Sequence, residues 1–333
     1  MRSSVRVLKT VLVLAAIGCA RAPSQPPAPL AIWYVPAPQL SNAVVARFSS
    51  SDPAPGLGTL VGIDSTSFRP TILRRGGSGY METKVADSVW AVIHPVRPAF
   101  ITTWQGQRYH PEVIRTLAMD TTVLASAADR LMTTVGDARV ILDFQAGTPD
   151  DIPELVDVVR SIGAALRNRN DKSIALVVPA EDTVAYPTAV LARVADVLVL
   201  RLHGEHRPGT AAGPLATPEW ITRAIGTRAR VAGASRLGAE LALFGYIWQA
   251  DGSAAPITFA DAQSLVRAEA GVFTRDPPSG FLTARGRDGW TIWVPDAATV
   301  KTMAEGVRRR GIRWIALAGP EGADPLIFSQ RLR

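Results

Sequence analysis

The chain has 333 residues, 47% hydrophobic and 20% charged, which is an ordinary composition for a globular protein. Its length fits one α/β barrel of about 250 residues plus insertions. The formal charge is +7, but Arg2, Arg6 and Lys9 belong to a segment that we expect to be removed, and the other basic residues form no long run. This balance permits contact with acidic polymers or lipid and does not indicate nucleic-acid binding, so we expect no nucleic-acid partner.

Residues 1–19 have the pattern of a bacterial lipoprotein signal peptide. A basic start is followed by apolar residues 11–17, a run too short to span a bilayer. The only cysteine, Cys19, follows Ala-Ile-Gly and stands where a lipobox places the acylated residue. We predict export and lipidation at Cys19, with ordinary cleavage or an uncleaved anchor as alternatives. Because Ala20 rather than Asp follows the cysteine, the outer membrane is the favoured location.

Residues 20–29 carry four prolines and predict an extended tether between the lipid anchor and the folded part. Eight apolar, strand-like runs follow: 31–35, 57–63, 99–104, 140–144, 173–179, 195–202, 239–246 and 314–318. Helical segments such as 152–168 separate them, which indicates parallel βαβ units. We therefore predict a single α/β domain, a (β/α)8 TIM barrel, over residues 30–333. Counting strands leaves an open doubly wound sheet as the alternative.

Five segments stand in the order in which they occur in family 18 glycoside hydrolases. Residues 139–145 (RVILDFQ) resemble that family's fourth-strand signature, which ends Asp-Phe-Glu. The others, in chain order, are 195–206, similar to the sixth-strand segment; 243–248, similar to the seventh-strand Tyr-Gly-Tyr-x-Trp; 290–297, similar to His-x-x-Trp-Phe-x-Asp-Ala; and 311–318 with 323–325, similar to the last strand and its closing Glu-Asp-Pro. The resemblance covers roughly residues 138–328. It implies a chitinase-like barrel that acts on polymers containing N-acetylglucosamine.

The same resemblance implies substrate-assisted hydrolysis, in which a protonated Glu gives its proton to the leaving oxygen. Gln145 stands at the position of that Glu, and a carboxamide cannot transfer a proton to an alkoxide. Other family positions have also changed, and the residues now there are Arg201 (for Met), His203 (for Tyr), Gly204 (for Asp) and Ala318 (for Trp). Only Asp143 remains of the catalytic set. We predict a degenerate site with no intact catalytic group.

The polar residues of this site have structural alternatives. A buried carboxylate without a partner is costly, so Arg201 is the expected partner of Asp143, with ligand contact as the alternative. His203 and His206 flank Glu205, but strand-end geometry sends alternate side chains to different sides. We therefore predict no metal ion there, and no cofactor elsewhere, because no convincing phosphate-binding loop is found. Glu205 is the nearest carboxylate in the sequence that could replace the missing acid.

Aromatic residues follow the third and seventh predicted strands and precede the eighth. In barrels, ligands meet the carboxyl ends of the strands, and aromatic faces suit stacking on sugar rings. Packing against the core is the alternative for each aromatic. The predicted carbohydrate-binding residues are Trp104, Tyr109, Asp143, Gln145, His203, Glu205, Tyr246, Trp248 and Trp293.

Three functions follow from these patterns. The first is a non-catalytic envelope lipoprotein that binds an amino-sugar polymer such as peptidoglycan. The second is a residual glycoside hydrolase that uses a substitute carboxylate near Gln145, with a raised pKa. The third is a scaffold for a protein partner, in which Arg201 and Asp143 plug the groove and an apolar patch lies elsewhere.

Overall fold

The computed structural model describes residues 31–35, 59–63, 68, 70–72, 75–76, 79–80, 98–105, 108–135, 139–145, 148–170, 173–320 and 322–329. Cys19, the predicted signal peptide at 1–19 and the predicted tether at 20–29 lie outside these residues. Export, lipidation and the outer-membrane location therefore remain predictions.

Eighteen strands are described. In chain order they are β1 (Ala31–Val35), β2 (Thr59–Ile63), β3 (Pro70–Ile72), β4 (Arg75–Gly76), β5 (Gly79–Tyr80), β6 (Pro98–Thr102), β7 (Trp104–Gln105), β8 (Arg108–Tyr109), β9 (Arg139–Asp143), β10 (Ile174–Pro179), β11 (Val197–Arg201), β12 (Leu237–Ala242), β13 (Gly245–Trp248), β14 (Ala254–Ile257), β15 (Thr274–Arg275), β16 (Leu282–Arg285), β17 (Thr291–Val294) and β18 (Trp314–Ala318). The described helices are α1 (Pro111–Met119), α2 (Thr121–Val135), α3 (Ile152–Asn170), α4 (Thr188–Leu191), α5 (Pro218–Ala232), α6 (Phe259–Ala268), α7 (Ala297–Arg309) and α8 (Leu326–Ser329). Two 3-10 turns stand at Pro149–Asp151 and Ala234–Arg236.

Eight parallel strands form a curled sheet in the order β1-β18-β12-β11-β10-β9-β6-β2, which is the strand order of a (β/α)8 barrel. The predicted fold class is therefore confirmed. The first and last strands pair in parallel from Ala31 opposite Trp314 to Val35 opposite Ala318, so the chain begins and ends its barrel at the same place. The short β3 pairs antiparallel with the edge of β2 that does not face β6.

The interior of the barrel is filled in layers by side chains that alternate along the strands. A buried apolar layer consists of Phe100, Ile141, Val177, Val199 and Ala316. Below it, toward the amino ends of the strands, lie Ala175, Val197 and Trp314. A Cβ built on Gly238 would lie 2.3 Å from the Trp314 ring, so glycine is needed there to admit the indole.

The helices cover the outside of the sheet, and local sequence sets their ends. The Thr217 side chain accepts a hydrogen bond from the Trp220 amide at the start of α5, and Gly233, with φ of 81°, ends that helix. Asp296 caps α7 in the same way by accepting from the Thr299 amide. The apolar faces of these helices and the outer faces of the strands share one large core.

A second, antiparallel sheet of five strands, β14-β13-β17-β16-β15, is inserted between β12 and α7. With α6 it has its own small core, which includes Phe259, Val266, Trp290 and Ile292. The predicted seventh strand at 239–246 merged two elements: β12 ends at Ala242, and β13 begins the inserted sheet at Gly245. The apolar run is continuous in sequence, so its pattern alone does not mark the boundary.

Among the described residues, no helix is both long and apolar enough to cross a bilayer.

Candidate functional site

Polar side chains occupy the barrel interior directly above its apolar layer, at the carboxyl ends of the strands. Asp143 and Arg201 end β9 and β11, two residues after the buried Ile141 and Val199. Because side chains alternate along a strand, this spacing turns both toward the barrel axis. Ligands of barrel proteins bind at this end. The sequence motifs therefore placed the candidate site at the functional end of the fold.

Arg201 holds the centre of the site. Its Nη2 donates to Asp143 Oδ1 over 2.7 Å, and its Nε donates to Glu240 Oε1 over 2.9 Å. The side chain is 17% exposed, and that of Asp143 is 19% exposed. The predicted Asp143–Arg201 pair is confirmed. The guanidinium bridges two carboxylates at the carboxyl ends of the barrel strands.

Glu240 on β12 is a member of the site that the sequence reasoning missed. Besides Arg201, it accepts a hydrogen bond from His203 Nε2 over 2.9 Å. Burial by itself would raise the pKa of Glu240, but the charge of Arg201 and the bond from His203 outweigh burial and lower that pKa to about 2. Glu240 is therefore an anion at neutral pH. Its only sequence signal was a single carboxylate inside the apolar run of residues 237–244.

Tyr109, on the hairpin that follows the third barrel strand, closes the site from above. Its hydroxyl donates to Asp143 Oδ2 over 2.6 Å and accepts from Arg201 Nη2 over 3.3 Å. The Arg201 guanidinium carbon lies 5.8 Å from the centre of the Tyr109 ring. Burial is the main cause that raises the pKa of Tyr109 well above its ordinary value, so the phenol stays protonated. Both oxygens of Asp143 are thus engaged.

Glu205 stabilises the start of a helix, so its carboxylate is not free to act in the site. Its Oε2 accepts from the Thr217 amide over 2.5 Å and its Oε1 from the Thr217 hydroxyl over 3.1 Å. This places a negative charge at the amino end of α5, where the helix dipole favours it. Nearby, His206 Nδ1 donates to the Ala211 carbonyl, and its ring lies against Gly213. The described residues contain no group of three or more side chains that could hold a metal ion.

The predicted aromatic residues fall into different environments. His203, Phe244, Tyr246 and Trp248 form a row of edge-to-face contacts with ring centres 5.5 to 5.8 Å apart. Trp248 is only 3% exposed, and its Nε1 donates to the Thr210 carbonyl over 3.1 Å, so it packs beneath the loop after β11. Tyr246 is half-buried and stands opposite the half-buried Trp293 in the inserted sheet. Tyr246 and Trp293, like Tyr109 and Phe244, are half-buried in the described part of the structure.

The remaining predicted positions lie around this centre. Gln145 is half-buried just beyond the end of β9, and Ala318 is half-buried at the end of β18. Gly204 has open space where a side chain would begin. Trp104 belongs to β7, which pairs with β8, but its side chain lies outside the described part of the structure.

Each carboxylate in the described part of the site already has a hydrogen-bond partner. The carboxylates of the described site are Asp143, Glu205 and Glu240. Asp143 and Glu240 are each bound to Arg201, and Glu205 caps a helix. A general acid requires a protonated group near neutral pH, whereas the pKa of Glu240 is lowered. The described site residues therefore offer hydrogen-bond donors and acceptors whose orientation their mutual hydrogen bonds fix.

Comparisons with known proteins show the fold. No family model and no curated protein sequence matches the chain. A chitinase from Chromobacterium violaceum is 17% identical with a TM-score of 0.73, and the match covers 90% of this chain and 97% of that one. The spore cortex-lytic enzyme SleL of Bacillus cereus is 11% identical with a TM-score of 0.73 over 92% of this chain and 74% of that one. The chitinase-like agglutinin of Robinia pseudoacacia is 14% identical with a TM-score of 0.66, over 90% and 97%.

The chain therefore has the barrel fold of chitinase-like proteins. The resemblance drawn from the sequence motifs is confirmed at the level of the fold. Proteins of this fold include enzymes and a protein named as an agglutinin, so the fold is compatible with catalysis and with binding alone.

Proposed function

We propose that this protein is a non-catalytic, glycan-binding member of the chitinase-like barrels. The observation that carries the proposal is the cluster of Asp143, Arg201, Glu240 and Tyr109. In this cluster, Tyr109 and Arg201 each bind one oxygen of Asp143, the one residue of the family's catalytic set that this sequence retains. Gln145, two residues later, stands at the position of the family's proton donor. A cluster of this kind holds its residues rigidly but cannot supply a proton.

The proposed ligand is a polysaccharide that contains N-acetylglucosamine, including peptidoglycan. Two observations support this class. The half-buried Tyr246 and Trp293 present adjacent aromatic surface next to the site, which suits the apolar faces of sugar rings. The similar structures include a chitinase, a spore cortex-lytic enzyme and an agglutinin.

The proposed location is the bacterial envelope, with a lipid on Cys19 and the proline-rich residues 20–29 as a tether. The basic start, the short apolar run and the single cysteine support this location. Cys19 is the single cysteine of the sequence, and it stands at the lipobox position. The residue after it favours the outer membrane.

A protein-binding scaffold is the second candidate, because the predicted plug of Arg201 on Asp143 is present. A scaffold of this kind would not respond to sugar. Among the described residues, exposed large apolar side chains such as Met119, Val184 and Val272 are far apart in sequence. They do not yet define a docking surface.

Sedimentation with insoluble polysaccharide tests the proposal against this second candidate. The unacylated polypeptide from residue 19, carrying Cys19→Ser, is mixed with chitin or with purified peptidoglycan. We expect retention on at least one of them and a loss of affinity of about 5-fold in Tyr246→Ala, because an aromatic contact contributes on the order of 1 kcal/mol. The matched control is Phe273→Ala, because Phe273 packs against the core of the inserted sheet and not beside the candidate site. No retention on either polymer would favour the scaffold.

A further inference from the structure

The loops at the amino ends of the barrel strands, opposite the candidate site, bring together arginines that are far apart in sequence. Arg193 stands in the loop before β11, Arg236 directly before β12, and Arg313 directly before β18. Because the strands are parallel, all three loops lie at one end of the barrel. The helices run back along the strands, so their last turns end at this face too.

Contacts between these loops show that they form one continuous surface. Arg236 donates to the carbonyls of Ala192, Ala195 and Asp196 and so joins the loops before β11 and β12. A Cβ built on Gly311 would lie 3.5 Å from Ala234, which places the loop before β18 against the turn before β12. The Asp196 carboxylate accepts from the Ile174 amide and joins the start of β10 to the same surface.

This surface, here called the basic end face, is strongly cationic. Its described arginines, all exposed, are Arg167, Arg193, Arg230, Arg236, Arg308, Arg309, Arg310 and Arg313. Two described carboxylates accompany them: Asp196, which is 3.8 Å from Arg167, and Glu305, which is 4.0 Å from Arg309. No side-chain partner among the described residues is recorded for Arg193, Arg308 or Arg313. In sequence the charges look dispersed, and the fold concentrates them.

Stabilisation of helix ends explains some of the arginines on the basic end face, but not all of them. Arg308 and Arg309 lie in the last turn of α7, where the helix dipole favours cations. Arg193 and Arg313, in contrast, stand in loops and are not needed to cap a helix. Surplus cations of one sign on one face repel each other, and an anionic surface relieves that repulsion.

The chain enters the barrel at this same face. Ala31, the first residue of β1, pairs with Trp314, the residue that follows Arg313. Only eleven residues separate Cys19 from Ala31. In an extended proline-rich conformation they would reach about 30 Å, at roughly 3 Å per residue. A lipid on Cys19 would therefore bring the basic end face, and not the candidate site, toward the bilayer.

We infer that the basic end face binds the anionic headgroups of a membrane and orients the barrel with its candidate site away from the lipid. The inference rests on the proposed lipid anchor and adds a second contact to it. The lipid would hold the chain at the bilayer, and a basic surface would add an electrostatic contact that sets the orientation of the barrel. Anionic lipid attracts nearby arginines whatever their sequence context.

Vesicle sedimentation tests the surface without the anchor. Every strand of the nine-stranded sheet lies between residues 31 and 318, so the polypeptide from residue 19 with Cys19→Ser retains the whole sheet. It is mixed with vesicles of phosphatidylcholine alone or with added phosphatidylglycerol, at low and at high salt. We expect binding only to the anionic vesicles and its loss at high salt.

Charge reversal locates the binding surface. The triple variant Arg193→Glu, Arg308→Glu, Arg313→Glu is expected to weaken binding on the order of 100-fold, because each basic residue near an anionic surface contributes roughly a factor of five. The matched control, Arg267→Glu, Arg285→Glu, Arg287→Glu, changes the net charge equally at exposed positions of the inserted region. Circular dichroism checks that both variants are folded.

The outcomes separate cleanly. The inference is supported if the triple variant at the basic end face loses binding to anionic vesicles while the control variant keeps it. Equal loss in both variants would mean that only net charge matters and would overturn the inference, as would equal binding to both kinds of vesicle. Mass spectrometry of the full chain extracted from bacterial membranes tests the acylation of Cys19 separately. The absence of a lipid on Cys19 is thus distinguished from the absence of lipid binding by the basic end face.

Discussion

Arg201 lies between two carboxylates, and its replacement tests whether the cluster is a structural unit. In Arg201→Met, Asp143 and Glu240 keep their charges but lose their shared cation. Removing one partner of a buried ion pair leaves an uncompensated charge, so we expect the free energy of unfolding to fall by about 3–5 kcal/mol. Urea denaturation measures it, with the exposed Arg207→Met as control. A loss as small as that of the control would show that the cluster contributes nothing.

The lowered pKa of Glu240 makes the stability of the fold dependent on pH. The pKa of this carboxyl is about 2 in the folded protein, against an ordinary value of 4.5, so it contributes stability above pH 4.5 that is lost as the pH falls toward 2. We expect the wild type to lose about 2 kcal/mol through this group between pH 7 and pH 3. In Glu240→Gln that share of the loss should disappear.

Denaturation of the wild type and Glu240→Gln at both pH values gives the comparison, and Glu219→Gln on the exposed start of α5 is the control. If Glu240→Gln and the wild type lose equal stability on acidification, Glu240 is not held as an anion by Arg201 and His203.

At the scale of elements, a buried arginine organises the loop after β10. Arg228 on α5 is fully buried and donates to the carbonyls of Pro179, Ala180, Asp182 and Tyr186 and to the Thr188 hydroxyl. Burial lowers its pKa to about 10, which still leaves it charged at neutral pH. Backbone carbonyls, rather than a carboxylate, therefore satisfy this cation.

We expect Arg228→Lys to lower the free energy of unfolding by about 2–4 kcal/mol. A lysine has three donors on a single nitrogen and cannot reach all five acceptors, so buried carbonyls are left unsatisfied. Thermal or urea unfolding measures the effect. The exposed Arg230→Lys on the same helix should change stability by no more than about 0.5 kcal/mol. An equally small change in Arg228→Lys would contradict the assigned role.

The elements that could be predicted from sequence are those whose signal is local. Strands β1 and β18 were predicted with their observed bounds, because each is a short apolar run with clear ends. The inserted sheet was missed because β12 and β13 read as one apolar run. The Asp143–Arg201 pair was predicted, since both residues end strands that face one interior. Glu240 was missed because partner choice across a barrel depends on strand register, which the sequence does not display.

At the scale of the whole molecule, the barrel has two chemically different ends. The carboxyl ends of the strands hold a satisfied ionic cluster beside accessible aromatics, and the amino ends hold an excess of arginine. A lipid anchor joined to the second end would leave the first end open to the surrounding glycan. The proposed function and the proposed membrane contact are thus compatible in one orientation.

Restoring the missing acid alone should not restore hydrolysis. In Gln145→Glu a carboxyl group returns to the end of β9, but Asp143 remains bound by Tyr109 and Arg201 and is not available to orient an acetamide. We expect no release of reducing ends from N-acetylglucosamine oligomers. Turnover by this single variant would mean that the cluster is not what prevents catalysis.

One calorimetric titration tests most directly whether the protein binds a glycan without cleaving it. The polypeptide from residue 19 with Cys19→Ser is titrated with N-acetylglucosamine oligomers, and the same mixtures are then analysed by mass spectrometry for shorter products. We predict heat of binding and unchanged oligomers, because other groups hold every carboxylate in the described part of the site and Gln145 cannot transfer a proton. Shortened oligomers, or the absence of any heat, would contradict the claim.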